Sequence, residues 1–175
     1  MNKASVARSI GLAAICLSQL HLPAWADDCQ PILSALKATA SAPALRQYLS
    51  IPSQPGGERL FSIQLGDVAY VALGVGGAAS PWQKMSRSKL RAEAEEAAQS
   101  LTYRDCKSLG PEALNGSQVS VYEYSTQDSP GVPGQIRSGG RSKIWIGADG
   151  LVRKQDAAGG RGSVRYEYNA VEAPH

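Results

Sequence analysis

Histidine is nearly missing from this chain: of 175 residues, only His21 and His175 carry an imidazole. Most serine and cysteine nucleophiles need a His base, and most zinc sites use His or several Cys. Cysteine is scarce as well, at three residues. No apolar run reaches the ~18 residues needed to cross a bilayer. These shortages exclude the common catalytic triads and structural zinc clusters. They leave carboxylates, Lys and Tyr as the only chemistry an enzyme here would have. We therefore expect no enzyme, no metal and no cofactor.

The N-terminus is the most informative segment. Lys3 and Arg8 precede an apolar stretch from Ile10 to Leu22, and Ala24-Trp25-Ala26 follows with small residues at both positions a signal peptidase reads. That order of charge, apolar run and small-x-small site predicts a signal peptide over 1–26, with periplasmic or secreted export. Cys16 does not make a lipobox, because the bulky Ile15 precedes it. Cleavage leaves residues 27–175 as a single domain of 149 residues. The formal charge falls from +3 to +1, which removes any global field for nucleic acid. Two cysteines remain, Cys29 and Cys106. In an oxidising compartment this pair predicts a disulfide, which closes a long loop and stabilises by about 4–5 kcal/mol.

Along the mature chain, Ile32, Leu33, Leu36, Ala40, Leu45 and Tyr48 recur at helical spacing. We expect Asp27 or Asp28 to cap that segment, and Pro43 to split it into two short helices. Glu58–Leu65 and 67–73 alternate as strands around the turn signal Gly66-Asp67, and the GVGG stretch (74–77) reads as a hairpin tip. It lacks the G-K-[ST] ending of a phosphate loop. A third short strand closes at Trp82, and a helix over 86–101 carries the stripe Leu90, Ala94, Ala97, Leu101. Its Lys89/Glu93 and Arg91/Glu95 pairs read as a solvated face. Further strands follow at 103–107, 118–125, 142–147, 151–155 and 163–169, with turns at Asn115-Gly116 and Asp149-Gly150. The Pro- and Gly-rich stretch 127–141 reads as a long loop. The expected class is α+β: one antiparallel sheet of about seven strands, an N-terminal helical region and one inserted helix.

The ordered motifs Val68-Ala69-Tyr70, Trp82, Val119-x-Val121-Tyr122, Ile144-Trp145-Ile146, Gly150-Leu151-Val152-Arg153 and Tyr166-x-Tyr168-Asn169-x-Val171-x-x-Pro174 span most of the mature chain. In that order the chain resembles a group of small periplasmic proteins. These in turn are similar to the half-barrel fold of the outer-membrane lipoprotein carrier (LolA) family. The resemblance implies a curved sheet with an apolar concavity that holds acyl chains. No functional residue of the carriers matches a position here.

On this basis we expect a non-enzymatic binding protein for a lipid or other apolar ligand. Tyr70, Trp82, Tyr122, Tyr124, Trp145, Tyr166 and Tyr168 are the candidate lining residues. The alternative is an envelope protein–protein interaction module (subunit, chaperone or inhibitor) that works through the 127–141 loop. A basic stretch of Arg137, Arg141, Lys143, Arg153, Lys154, Arg161 and Arg165 offers contacts to anionic headgroups or reads as a solvated hairpin surface. Glu123 and Glu167, on strands that look adjacent, are the one carboxylate pair suited to glycoside chemistry. Both alternate with tyrosines as ordinary outward-facing strand residues do.

Overall fold

The computed structural model describes residues 29–53, 57–72, 81–99, 101–128 and 141–174. The expected signal peptide, the 74–77 tip, Arg137 and most of the 127–141 loop lie outside the described residues. Helix α1 spans Gln30–Ser41 and α2 Arg87–Gln99. The strands are β1 Ala44–Ser50, β2 Glu58–Leu65, β3 Val68–Val71, β4 Gln83–Ser86, β5 Leu101–Leu114, β6 Ser117–Asp128, β7 Arg141–Gly147, β8 Val152–Asp156 and β9 Ser163–Glu167. They form one open antiparallel sheet in the order β4-β3-β2-β1-β9-β8-β7-β6-β5. The expected mix of sheet and helices holds, with nine strands in place of about seven.

β1 is the main departure. Pro43 ends the helix outright, and no second helix follows. Proline disfavours the helical basin for the residue before it, and Ala42 sits at φ −58°, ψ 136°. Beyond it Leu45, Gln47 and Leu49 alternate with Arg46, Tyr48 and Ser50, so the helical spacing of Leu45 and Tyr48 misled. β1 pairs with β2 on one side and β9 on the other, which joins the two ends of the chain's strand order.

Alternation gives the sheet two unlike faces. α1 lies on what we call the inner face, where Ile32 and Ala35 pack against Cys106, Tyr124, Ile144, Ile146 and Val152. The outer face holds a smaller cluster of Val119, Val121 and Trp145, flanked by Leu114. Burying the four branched aliphatic side chains of the inner cluster, Ile32, Ile144, Ile146 and Val152, stabilises by ~1.5–3 kcal/mol each.

Three devices hold α1 in place. At its N-terminus Cys29 is joined to Cys106 of β5, with the Cα atoms 5.1 Å apart. Cys29 is itself the N-cap residue, and its side chain makes no capping hydrogen bond. Strict alternation from Tyr103 would point Cys106 to the outer face. A bulge between Arg104 and Lys107, with Asp105 at φ 52°, shifts the phase and turns the sulfur inward. The Ser125 hydroxyl donates to Asp105 Oδ2 at 2.7 Å and steadies the bulge.

The last turn of α1 is anchored twice. Thr39 is buried, and its Oγ1 accepts the Val152 N–H at 2.9 Å. The Tyr168 hydroxyl donates to Val152 O at 2.5 Å, so the Thr39 hydroxyl donates to Tyr168 at 3.2 Å and the ring of bonds closes. Arg87, the first residue of α2, is only 7 % exposed and caps α1. Its Nη2 donates to Ala40 O and Ala42 O, its Nη1 to Pro43 O and Gly66 O, and its Nε to Gln64. A cation at a helix C-terminus satisfies carbonyls that the helix leaves open.

α2 otherwise departs from expectation. Leu90 is half-buried and Ala94 exposed, so at these two positions the expected stripe is not covered, and Leu101 belongs to β5. Lys89 and Glu93 pair at 4.0 Å, whereas Arg91 donates to Ala40 O at 2.8 Å in place of Glu95. Among the described residues, no helix is long and apolar enough to cross a membrane.

Candidate functional site on the inner face

α1 crosses the inner face from β5 toward β8 and divides it. On one flank lies an open groove of 320 Å³, lined by Pro31, Ala35 and Ala38 of α1 and by Ser120, Tyr122 and Ile146 of the sheet, with Ser34 and Gly150 at its rim. Its size is at the small end of ligand pockets, and its walls are mostly apolar. Alanines at 35 and 38 leave the space open, because a larger side chain on that helical face would fill it.

On the other flank the surface changes character. Leu36, Tyr103 and Tyr166 pack against the buried cluster that holds Tyr124, and the Tyr103 and Tyr124 ring centroids lie 5.4 Å apart. From them a relay of neutral side chains runs across the strands. Arg87 Nε donates to Gln64 Oε1 at 3.1 Å, and Gln64 Nε2 to Gln47 Oε1 at 3.5 Å. Gln47 bonds the Tyr166 hydroxyl, which donates to Gln155 Oε1 at 3.2 Å. Gln155 Nε2 donates to the Tyr124 hydroxyl at 2.6 Å, and Tyr124 meets Ser142. The four measured bonds run in one sense, from Arg87 to Gln64 to Gln47 and from Tyr166 to Gln155 to Tyr124, so within each stretch one bond polarises the next.

Burial sets the electrostatics of this flank. It pushes Tyr124 up to about 12, helped by the neighbouring Tyr103. It raises Tyr103 and lifts Tyr166 further still, with Tyr168 and Tyr124 adding to the second effect. Tyr168 is pushed up to about 12, again by burial. All four phenols are held neutral.

The sequence-predicted aromatics divide accordingly. Tyr122, Tyr124, Tyr166 and Tyr168 share the inner face with α1; of these only Tyr122 lines the groove, while Tyr124 is a 2 % exposed core residue. Trp145 is on the outer face, 7 % exposed, with its indole N–H on Glu112 at 2.9 Å and the Lys154 ammonium 4.5 Å above its ring. Tyr70 pairs with Ile63 and Lys84 on that outer face, and Trp82 is half-buried just before β4. The sheet therefore does not bring the seven together. The relay amides Gln47, Gln64 and Gln155 and the aromatic Tyr103 were not foreseen. Reading Pro43 as the end of the helix would have exposed Gln47 as an inward residue between Leu45 and Leu49.

The outer face carries the charge. Arg165 of β9 reaches across β1 to Glu58 at 2.6 Å, also pairs with Glu167, and lies 4.0 Å over the Tyr48 ring. The hydrogen bonds to Glu58 raise its already high pKa. Burial alone would raise Glu167, but hydrogen bonds from Arg165 and Tyr48 outweigh it and hold the carboxyl below its usual range. Arg141 pairs with Glu123, Arg153 with Asp149 and Lys154 with Asp156, at 2.5, 2.5 and 2.9 Å. Arg161 Nε donates to Ala158 O at 3.0 Å. Most of the basic stretch is thus neutralised in pairs, with Lys143 exposed beside Glu123. Glu123 and Glu167 are not neighbours either: β7 and β8 stand between their strands, a separation of about 14 Å. That exceeds both glycosidase spacings. Among the described residues no cluster of three or more His, Cys, Asp or Glu side chains can hold a metal ion.

No family model matches the chain, and no curated protein matches it in sequence. Among solved structures it is similar to the crystal structure of the Mycobacterium tuberculosis lipoprotein LppX, with a TM-score of 0.48 and 14 % identity over 85 % of this chain and 96 % of that one. It is also similar to LprF from Mycobacterium bovis, with a TM-score of 0.41 and 12 % identity over 85 % of this chain and 94 % of the other. At these values neither likeness bears on what this chain binds.

Proposed function

We propose that this chain is an exported, non-enzymatic binding protein that takes an apolar or amphipathic ligand, such as a lipid, on the inner sheet face beneath α1. The observation that carries this is the groove of 320 Å³ between α1 and the sheet. Its apolar walls stay open although the disulfide and the Thr39–Val152–Tyr168 ring tie both ends of the helix down. A strapped helix that still leaves apolar surface uncovered marks a place where burial is left for another molecule. Most of the ionic side chains of the basic stretch are closed in pairs, chiefly on the opposite face. The N-terminal pattern and the disulfide fit an oxidising compartment outside the cytoplasm.

Protein purified from its native compartment is expected to release lipid on solvent extraction, read by mass spectrometry, and to take up a fluorescent fatty acid. Ala38→Trp, which fills the groove from the half-exposed side of α1, should cut that uptake at least tenfold with little loss of stability. Lipid-free protein that takes up no probe rejects the proposal.

A further inference from the structure

The groove beside α1 has an apolar floor and a mouth lined with hydroxyls. We infer that Ser34, Ser120 and Tyr122 recognise the headgroup of the ligand and select an uncharged, hydroxyl-bearing one, of the monoacylglycerol class. This specificity rests on the binding role proposed above.

All three side chains line the groove itself. Its floor is buried, with Ala35 3 % and Ile146 7 % exposed, whereas Ser34 and Ser120 are exposed and Tyr122 is half-buried. Ser34 comes from the helix wall. Ser120 and Tyr122 stand two residues apart on β6 and so share a face. The register sets them beside Ile146 and Ile144 of the inner cluster, which turns both toward α1. Among the described residues, none of the three hydroxyls has a hydrogen-bond partner in the protein. The phenols of the other flank are engaged instead: Tyr124 and Tyr166 bond Gln155, and Tyr168 bonds Val152 and Thr39. Spare hydrogen-bonding capacity therefore coincides with the open apolar space.

The chemistry of the mouth sets the class of headgroup. A serine or tyrosine hydroxyl both donates and accepts, so the set suits a partner that does both. A glycerol hydroxyl does; a methyl ester only accepts. Among the described residues, no charged side chain lines the groove. Arg153 and Asp149, beside Gly150 at the rim, are paired with each other at 2.5 Å. Glu123, next to Tyr122, turns to the outer face and pairs with Arg141. Lys37, one turn along α1 from Ser34, is exposed and outside the lining. A carboxylate or phosphate seated here would lose water without gaining a counter-ion. At 320 Å³ the space also favours a single chain with a compact headgroup.

The test compares a monoacylglycerol, the fatty-acid methyl ester that lacks only the headgroup hydroxyls, and the free fatty acid, all of one chain length. Each is titrated at pH 8 against displacement of Nile red, an uncharged apolar dye. The wild type should prefer the monoacylglycerol over the other two by about threefold to tenfold, the value of one or two neutral hydrogen bonds. Ser34→Ala, Ser120→Ala and Tyr122→Phe should each narrow that preference, and the triple variant should erase it. Methyl-ester affinity should stay unchanged throughout, and so should the melting temperature, because the hydroxyls removed hold nothing in the fold. Equal wild-type affinity for monoacylglycerol and methyl ester, tighter binding of the free acid, or a preference that survives the triple variant would overturn the inference. In those cases binding of the methyl ester or the acid still supports the broader role. Failure of all three probes and of Nile red to bind rejects both.

Discussion

The two faces of one sheet solve the same problem in opposite ways. On the outer face, polar side chains are ionised and closed on each other: Arg165 with Glu58 and Glu167 over Tyr48, Lys154 with Asp156 over Trp145, Arg141 with Glu123. On the inner face they are neutral and chained, from Gln64 through Gln47, Tyr166 and Gln155 to Tyr124, beside an apolar cluster under α1. Because side chains alternate, neighbouring residues such as Tyr166 and Glu167 serve different faces. A ligand gains most where surface is left open. The outer face closes most of its charges in pairs, whereas the inner face retains open apolar surface beside α1.

The comparison breaks most readily at the strap. Replacing both Cys29 and Cys106 by serine should cost about 4 kcal/mol in denaturant unfolding, since the bridge closes a loop of 77 residues. Next comes the apolar cluster: Ile144→Ala, at a fully buried inner position, should cost about 3 kcal/mol. Arg165→Met on the outer face should cost about 1 kcal/mol or less, and that loss should shrink further in high salt while the Ile144→Ala loss does not. An outer substitution as costly as an inner one would erase the distinction.

pH sharpens the contrast with a smaller effect. Tyr124 and Tyr168 have folded pKa values raised to about 12, so they favour the neutral phenol. Their contribution is complete below pH ~10, the usual phenol value, and is lost as pH rises through about 12. Glu167 is depressed, so its contribution holds above the ordinary carboxylate range and is lost as pH falls through its folded value. Melting temperature against pH should thus fall on the alkaline side through the inner face and only slightly on the acid side through Glu167. The mutants Tyr124→Phe and Glu167→Gln separate the two limbs.

Much of the scaffold was legible because local chemistry fixes it. Gly66-Asp67 and Asn115-Gly116 form the tight turns their sequences signal, with Gly66 at φ 53° and Asn115 and Gly116 at φ 50° and 79°. Glu58–Leu65 is a strand with the expected bounds, and Cys29 meets Cys106. β1 was hidden because Leu45 and Tyr48 match a helical period as well as a strand. β5 looked short because bulges at Asp105 and Leu109, followed by Pro111, interrupt its alternation. The seven-aromatic site scattered because period-two patterning gives a phase but not which phase faces α1, so Trp145 went outward and Tyr122 inward. The relay glutamines were invisible for a related reason: a Gln on a strand reads as surface until its neighbours across the sheet are known.

A bound ligand should occupy the face that carries α1. A diazirine-bearing fatty acid, photolysed on the purified protein and mapped to single residues by mass spectrometry, tests this directly. Adducts at Ala35, Ala38, Tyr122 or Ile146 are the predicted result. Adducts confined to Val119, Val121 or Trp145, on the opposite side of the sheet, would contradict it.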